Sequence, residues 1–301
     1  KGVKLDKVMK NVEKLIPKYA VISLVFCFAW NCFVYWTTQF LCAGRRHFDL
    51  TTDFDRWVPV QSWWVLIYVA SFAFWVICYI LIARFNDREF WFRFVTADLL
   101  SRTICGVIFV VFPTMNTRPV LEMNSVFDWM LALIYKLDLP YNLFPSIHCI
   151  ISLLCFLGLM KTDKMSRVAK GGVLAFALLI FASTQFTKQH YISDVISGVV
   201  LALLCYSIAM KTDIAQPVRK VFERINEKVF GDANEEKKEG DGGSDCGFWG
   251  SEGVLGLWVN VGGVSVLCKC DVVFFFCIME QILSANHVMK GIKKHRRRIE
   301  F

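Results

Sequence analysis

A chain of 301 residues with 55% hydrophobic and 15% aromatic side chains and a mean hydropathy of +0.46 is too apolar for an ordinary water-soluble domain. Its net charge of +8 is not gathered into a basic stretch with interleaved aromatics, so it reads as contact with an anionic bilayer surface, and no nucleic-acid partner is expected. Cys27, Cys32, Cys78, Cys105, Cys155 and Cys205 lie inside apolar runs, where thiols pack as small hydrophobes. Cys268 and Cys270 form a C-x-C pair with no second pair at zinc spacing, so neither a disulfide framework nor a structural metal is expected.

Residues 1–18, "KGVKLDKVMKNVEKLIPK", form a basic amphipathic N-terminal segment. Residues 19–213 hold six apolar stretches, near 19–43, 62–83, 94–113, 144–160, 171–187 and 191–210. Each is close to the ~20 residues that span a bilayer, or somewhat shorter. The first has no small-residue cleavage site and is expected to span rather than act as a signal peptide. The third contains Asp98, Ser101 and Arg102, so part of it should face protein and not lipid. Residues 126–137, "VFDWMLALIYKL", have the pattern of a short amphipathic helix lying in the interface. Trp57, Trp63, Trp64 and Trp129 suit an aromatic belt. Residues 214–245 read as a polar cytoplasmic linker, and 246–301 as an apolar, Gly-rich and basic tail to which no function is assigned. A seventh span near 253–280 is disfavoured by its glycines, which make poor helix. The expected fold is all-α: a polytopic six-helix transmembrane bundle.

Loop charge sets the orientation. With the N-terminus cytoplasmic, segments 1–18, 84–93, 161–170 and 211–228 carry six, three, four and five Lys or Arg, eighteen together. Segments 44–61, 114–143 and 188–190 carry three, two and one, six together. This topology gathers "FPTMNTRPV", "NLFPSIH" and "TKQHYISD" on one extracytoplasmic face. Ionisable residues at that depth are costly and usually functional.

His190 and Asp194 are spaced i, i+4 and share a helix face. A carboxylate behind an imidazole orients it and raises its basicity, as a nucleophilic or general-base histidine requires. Such a pair can equally be a helix-stabilising contact. His148, His190 and Asp194 would also suffice as three metal ligands, but Arg118 and Lys188 beside them repel a metal ion and attract phosphate. Ser146 follows Pro145 at the start of the fourth span, where free N–H groups and the helix dipole form an anion site. His148 lies two residues on.

These three segments resemble the motifs of the type 2 phosphatidic acid phosphatase superfamily, over roughly residues 60–210. The first motif, Lys-x6-Arg-Pro, is matched by Arg118 and Pro119, with Val111 in the lysine place. The second, Pro-Ser-Gly-His, is matched by Pro145, Ser146 and His148, with Ile147 for glycine. The third, Ser-Arg-x5-His-x3-Asp, is matched by Ser183, His190 and Asp194, with Thr184 for arginine. Lys188 and Arg102 are candidate substitutes for the two missing cations. "TKQHY" with Asp194 is also similar to the inositol phosphorylceramide synthase branch, which passes a phosphoryl head group between lipids.

The resemblance implies a membrane lipid phosphate as substrate, with His190 as nucleophile forming a phosphohistidine. Asp194 would orient it and His148 would protonate the leaving oxygen. Arg118, Lys188, Ser146 and Ser183 would hold the phosphate, with no metal or cofactor. It leaves open hydrolysis, transfer to an alcohol, and an inactive lipid-binding or transport protein. The charge asymmetry makes a prediction of its own. A reporter inserted within 120–140 should behave as extracytoplasmic and one within 161–170 as cytoplasmic; the opposite pattern in an accessibility assay rejects the orientation.

Overall fold

The computed structural model describes residues 16–230. The readings of residues 1–15 and 231–301, including the Gly-rich tail, lie outside the described residues. Nine α-helices account for about three-quarters of the described residues. α1 is Lys18–Cys42, α2 Asp53–Trp57, α3 Val65–Phe85, α4 Arg88–Val111, α5 Val126–Leu137, α6 Ile147–Met160, α7 Arg167–Phe186, α8 Ile192–Lys211 and α9 Ala215–Phe230. α1, α3 with its leading turn from Ser62, α4, α7 and α8 are long and apolar enough to cross a membrane. α6 has 14 residues and so rises only about 21 Å, less than the ~30 Å of a hydrocarbon core. The chain is an all-α polytopic membrane protein, as its six apolar runs led us to expect.

α4 is central, packing on α1, α8 and α6. Small residues let these helices approach closely, as bilayer interfaces favour. Gly106 of α4 lies against Val34 of α1, where an added Cβ would stand 2.9 Å from Cγ1. The polar residues of α4 face inward. Arg102 Nε donates to both carboxylate oxygens of Asp98 at 2.9 Å, and Tyr79 of α3 donates to Asp98 Oδ1 at 2.6 Å. Arg102 is therefore paired inside the bundle and is no substitute for a missing phosphate-binding cation. The eight cysteines among the described residues are buried and unbridged.

The loops at the other end of the bundle from the α3–α4 turn knit into a cap. A two-residue parallel ladder pairs Phe48 with Thr114 and Asp49 with Met115. Thr114 Oγ1 accepts from Leu143 N and Phe144 N, the approach to α6. α5 forms over the residues expected, capped by Ser125 and Asp128 in a reciprocal box that satisfies two otherwise orphaned donors. Hydrogen bonds from Ser62 and Ser125 hold Asp128 below the usual carboxylate range.

One expectation fails. The polar linker expected over 214–245 is helical in its first part, as α9. Val218, Phe222 and Ile225 recur at helical spacing, and Phe222 is buried against Phe26 of α1 and Phe92 of α4. Asn226 Nδ2 donates to Tyr19 O at 3.1 Å. The many charges of this stretch mask an amphipathic pattern.

The buried pair on α4 gives a test. Arg102→Leu leaves Asp98 buried beside Tyr79 without its cation and should cost about 3–5 kcal/mol. The double change of Asp98 and Arg102 to Leu should recover most of that loss in thermal unfolding in detergent.

Candidate active site

The three polar segments converge because the turn between α7 and α8, residues 187–191, is tied down from every side. Within the chain, Thr184 O closes it, accepting from Gln189 N at 2.9 Å and His190 N at 3.1 Å. Lys188 takes φ +52°, the left-handed conformation that ends many helices. Asn116 Nδ2 donates to Lys188 O at 2.7 Å, and Thr117 N donates to Tyr191 OH at 3.2 Å. Tyr135 of α5 donates to Thr187 O at 2.7 Å. Lys188 Nζ reaches the carbonyls of Asp55 and Val58 at 2.5 and 2.6 Å. Asp55 Oδ1 accepts Ile192 N, the first amide of α8, at 2.8 Å.

This turn delivers His190 to the mouth of the bundle. His190 Nδ1 stands 3.4 Å from Asp194 Oδ2, within ion-pair reach but making no hydrogen bond. Asp194 Oδ2 also accepts Tyr191 N at 2.8 Å. The carboxylate is thus fixed at the start of α8, where the helix dipole stabilises it. With Nδ1 turned to Asp194, the other ring nitrogen of His190 is the one available for chemistry.

His148 arrives from α6. Ser146 caps that helix, its Oγ accepting from Cys149 N at 3.4 Å, so Pro145 precedes the cap and does not occupy the first turn. Ser146 N donates to Asp194 O at 3.0 Å, joining the two helix starts directly. Gly198 permits this approach, since a Cβ there would stand 2.8 Å from Ser146 O. The ring of His148 stacks on Tyr68 at 4.6 Å and lies 5.5 Å from the ring of His190. Its Nε2 is buried without a hydrogen-bond partner.

Both histidines line a cavity of ≈ 100 Å³ between α1 and α3. α1 packs on α4 and α9, whereas α3 packs on α6 and α7, so the cavity lies in the cleft between two halves. Trp36 lines it while remaining 43% exposed, and Tyr35, Phe72 and Trp75 supply aromatic wall. Among the described residues, no three His, Cys, Asp or Glu side chains are arranged to hold a metal ion.

Residues 45–208 match the PAP2 superfamily. This chain belongs to that superfamily. Membership supports phosphatase- or phosphotransferase-type lipid chemistry, and it accounts for the order of the three segments. No curated protein and no solved structure matches the chain. Within this PAP2 member, the residues expected at the site divide into two groups. The structure brings His148, His190 and Asp194 together. The four phosphate-binding candidates do not line the cavity. Arg118 is close, its Nη2 donating to Gln189 Oε1 at 2.7 Å and its Nη1 to the carbonyls of Tyr135 and Asp138. Lys188 spends its ammonium on α2, and burial lowers its pKa. Ser146 Oγ is the helix cap. Ser183 Oγ donates to Ile180 O at 2.7 Å, fully buried. In this arrangement Lys188, Ser146 and Ser183 position the site rather than face its cavity. Of the two positions where the motifs lack a cation, Val111 is exposed at the end of α4, and Thr184 serves through its carbonyl.

Asp55, Asn116, Tyr135, Gln189 and Gly198 belong to the site and carry no signature in sequence. The helix contact at Gly198 makes the most direct test. Gly198→Ala should cost about 1–3 kcal/mol through overpacking. It should also lower kcat by roughly 10²-fold, because displacing one histidine by an ångström ruins the geometry. Unfolding in detergent and steady-state turnover check the two effects separately.

Proposed function

We propose that the chain is a membrane lipid phosphate phosphatase that works through a phosphohistidine on His190. The observation that carries this is two histidine rings 5.5 Å apart in one cavity, only one of which has a carboxylate behind it. His190 is the better nucleophile, because Asp194 orients the ring and stabilises the positive charge that develops on it. Its nitrogen remote from Asp194 attacks phosphorus. His148, across the cavity, gives a proton to the departing lipid oxygen and then takes one from the water that cleaves the phosphohistidine.

The phosphate lies at the start of α6, where Ile147 and His148 belong to the first turn and their amides have no partner within the helix. Arg118 Nε and Gln189 Nε2 are buried donors without hydrogen-bond partners beside His190, and phosphate oxygens are their chemical complement. Lys188 adds positive potential from the turn. The substrate's apolar chains take the aromatic cleft between α1 and α3, with the bilayer as the source of substrate. An extracytoplasmic site follows from the loop charge.

The unequal roles are testable. His190→Ala should abolish turnover and any acid-labile phosphoenzyme. His148→Ala should slow release of a lipid alcohol by about 10²–10⁴. It should do far less harm with p-nitrophenyl phosphate, whose leaving group needs no proton. Equal loss on both substrates, with a phosphoenzyme still trapped in His190→Ala, reverses the assignment.

A further inference from the structure

The end of the bundle away from the histidines carries a surface with no part in phosphoryl transfer. Arg93 Nη1 donates to the carbonyls of Ala209, Met210 and Thr212 at 3.1, 3.2 and 2.9 Å. These groups lie at the end of α8, so the contacts fix the corner from which α9 departs. α9 then runs against the leading ends of α4 and α1. Glu223 pairs with Arg88 at 3.0 Å, Phe222 packs on Phe92 and Phe26, and Asn226 holds Tyr19 O. A helix anchored where two spanning helices begin stands at the depth where hydrocarbon gives way to head groups.

The side chains of α9 are sorted by row, since residues four apart share a helix face. Phe222 and Asn226 form the buried row. The next row round is Val221, Ile225 and Val229, apolar yet 53%, 37% and 50% exposed. Beyond it come Lys220, Arg224 and Lys228, all exposed. Acids take the remaining side, where Glu223 is held by Arg88 and by Arg219 at 2.8 Å and Glu227 is exposed. No carboxylate among the described residues lies within ion-pair reach of the three cations. A row of cations alone is a solvated face. Here an exposed apolar row runs alongside it, between the cations and the residues packed on protein. Acyl chains would bury that row, and the long basic side chains would reach out to head groups. An apolar face flanked by cations is the pattern of a helix lying in the interface.

We propose that α9 is an in-plane anchor that docks on the anionic leaflet at this end of the bundle. Val221, Ile225 and Val229 enter the acyl region, and Lys220, Arg224 and Lys228 bind acidic phospholipid head groups. The occupant is a lipid surface, so the docking is independent of the phosphohistidine chemistry at the other end.

Hydrogen exchange of the full chain in nanodiscs tests the docking without relying on turnover. The discs hold phosphatidylcholine alone or phosphatidylcholine mixed with phosphatidylglycerol. The amides of α9 should exchange about 10- to 100-fold more slowly in the anionic discs, because each cation near an anionic surface contributes roughly a fivefold factor. Changing Lys220, Arg224 and Lys228 together to Gln should bring that ratio to within about threefold. Changing Lys161, Arg167 and Lys170 to Gln removes the same charge from the α6–α7 turn, which Thr162 ties to the end of α3, and should leave the ratio intact. Equal exchange in the two compositions overturns the docking, as does equal loss in the two triple variants. If the α9 variant no longer unfolds cooperatively, salt replaces it. High salt should erase the ratio in the unaltered chain, and a ratio that persists overturns the role of the cations. A photoreactive benzoylphenylalanine in place of Val221 should attach to lipid on irradiation. Attachment instead to residues 231–301 or to a second copy gives the apolar row a protein occupant and overturns the proposal.

Discussion

The site depends on a five-residue turn. Residues 187–191 leave one membrane helix and start the next, and the nucleophile candidate is the fourth of the five. A connection this short has little freedom of its own, yet the Asp194 carboxylate is useful only if the His190 ring meets it. The turn is held by groups from three separate places: Asn116 and Thr117 after α4, Tyr135 on α5, and the α2 carbonyls that take Lys188. Every one of these bonds ends on backbone of the turn or of its clamp, or on the Tyr191 hydroxyl. The cap over the bundle is therefore structural support for one histidine.

The second histidine is placed by a different device. Its helix is too short to span the bilayer and starts where α8 starts, and the two are joined by a backbone bond from Ser146 to Asp194. The same residue thus faces one imidazole with its side chain, 3.4 Å from His190 Nδ1, and anchors the other's helix with its carbonyl. Motion of either helix start changes both halves of the proposed acid and nucleophile pair together. Rigidity of this sort favours preorganised electrostatic catalysis over assembly by large rearrangement.

Much of this was legible in the sequence, for physical reasons. Twenty-residue apolar runs have few alternatives to helix when backbone groups must satisfy themselves. His148, His190 and Asp194 stood out because ionisable groups are conspicuous among apolar neighbours. α5 announced itself by the helical spacing of its apolar residues. α9 did not, since its charges outnumber its apolar stripe and the same composition describes a linker. The clamp on Lys188 was invisible because its partners are carbonyls, which every residue owns. Ser183 and Ser146 matched motif positions, yet their hydroxyls serve their own helices.

Trp36 lines the cavity from α1 and is also partly exposed on the outside of the bundle. A substrate entering there need not leave the bilayer, so the concentration that matters is a mole fraction in one leaflet rather than a molarity in solution. Half-saturation would then shift when inert lipid is added, although the bulk amount of substrate stays the same. A lipid made elsewhere in the same leaflet could reach the histidines by lateral diffusion alone. The protein would thus respond to membrane composition at its own flank.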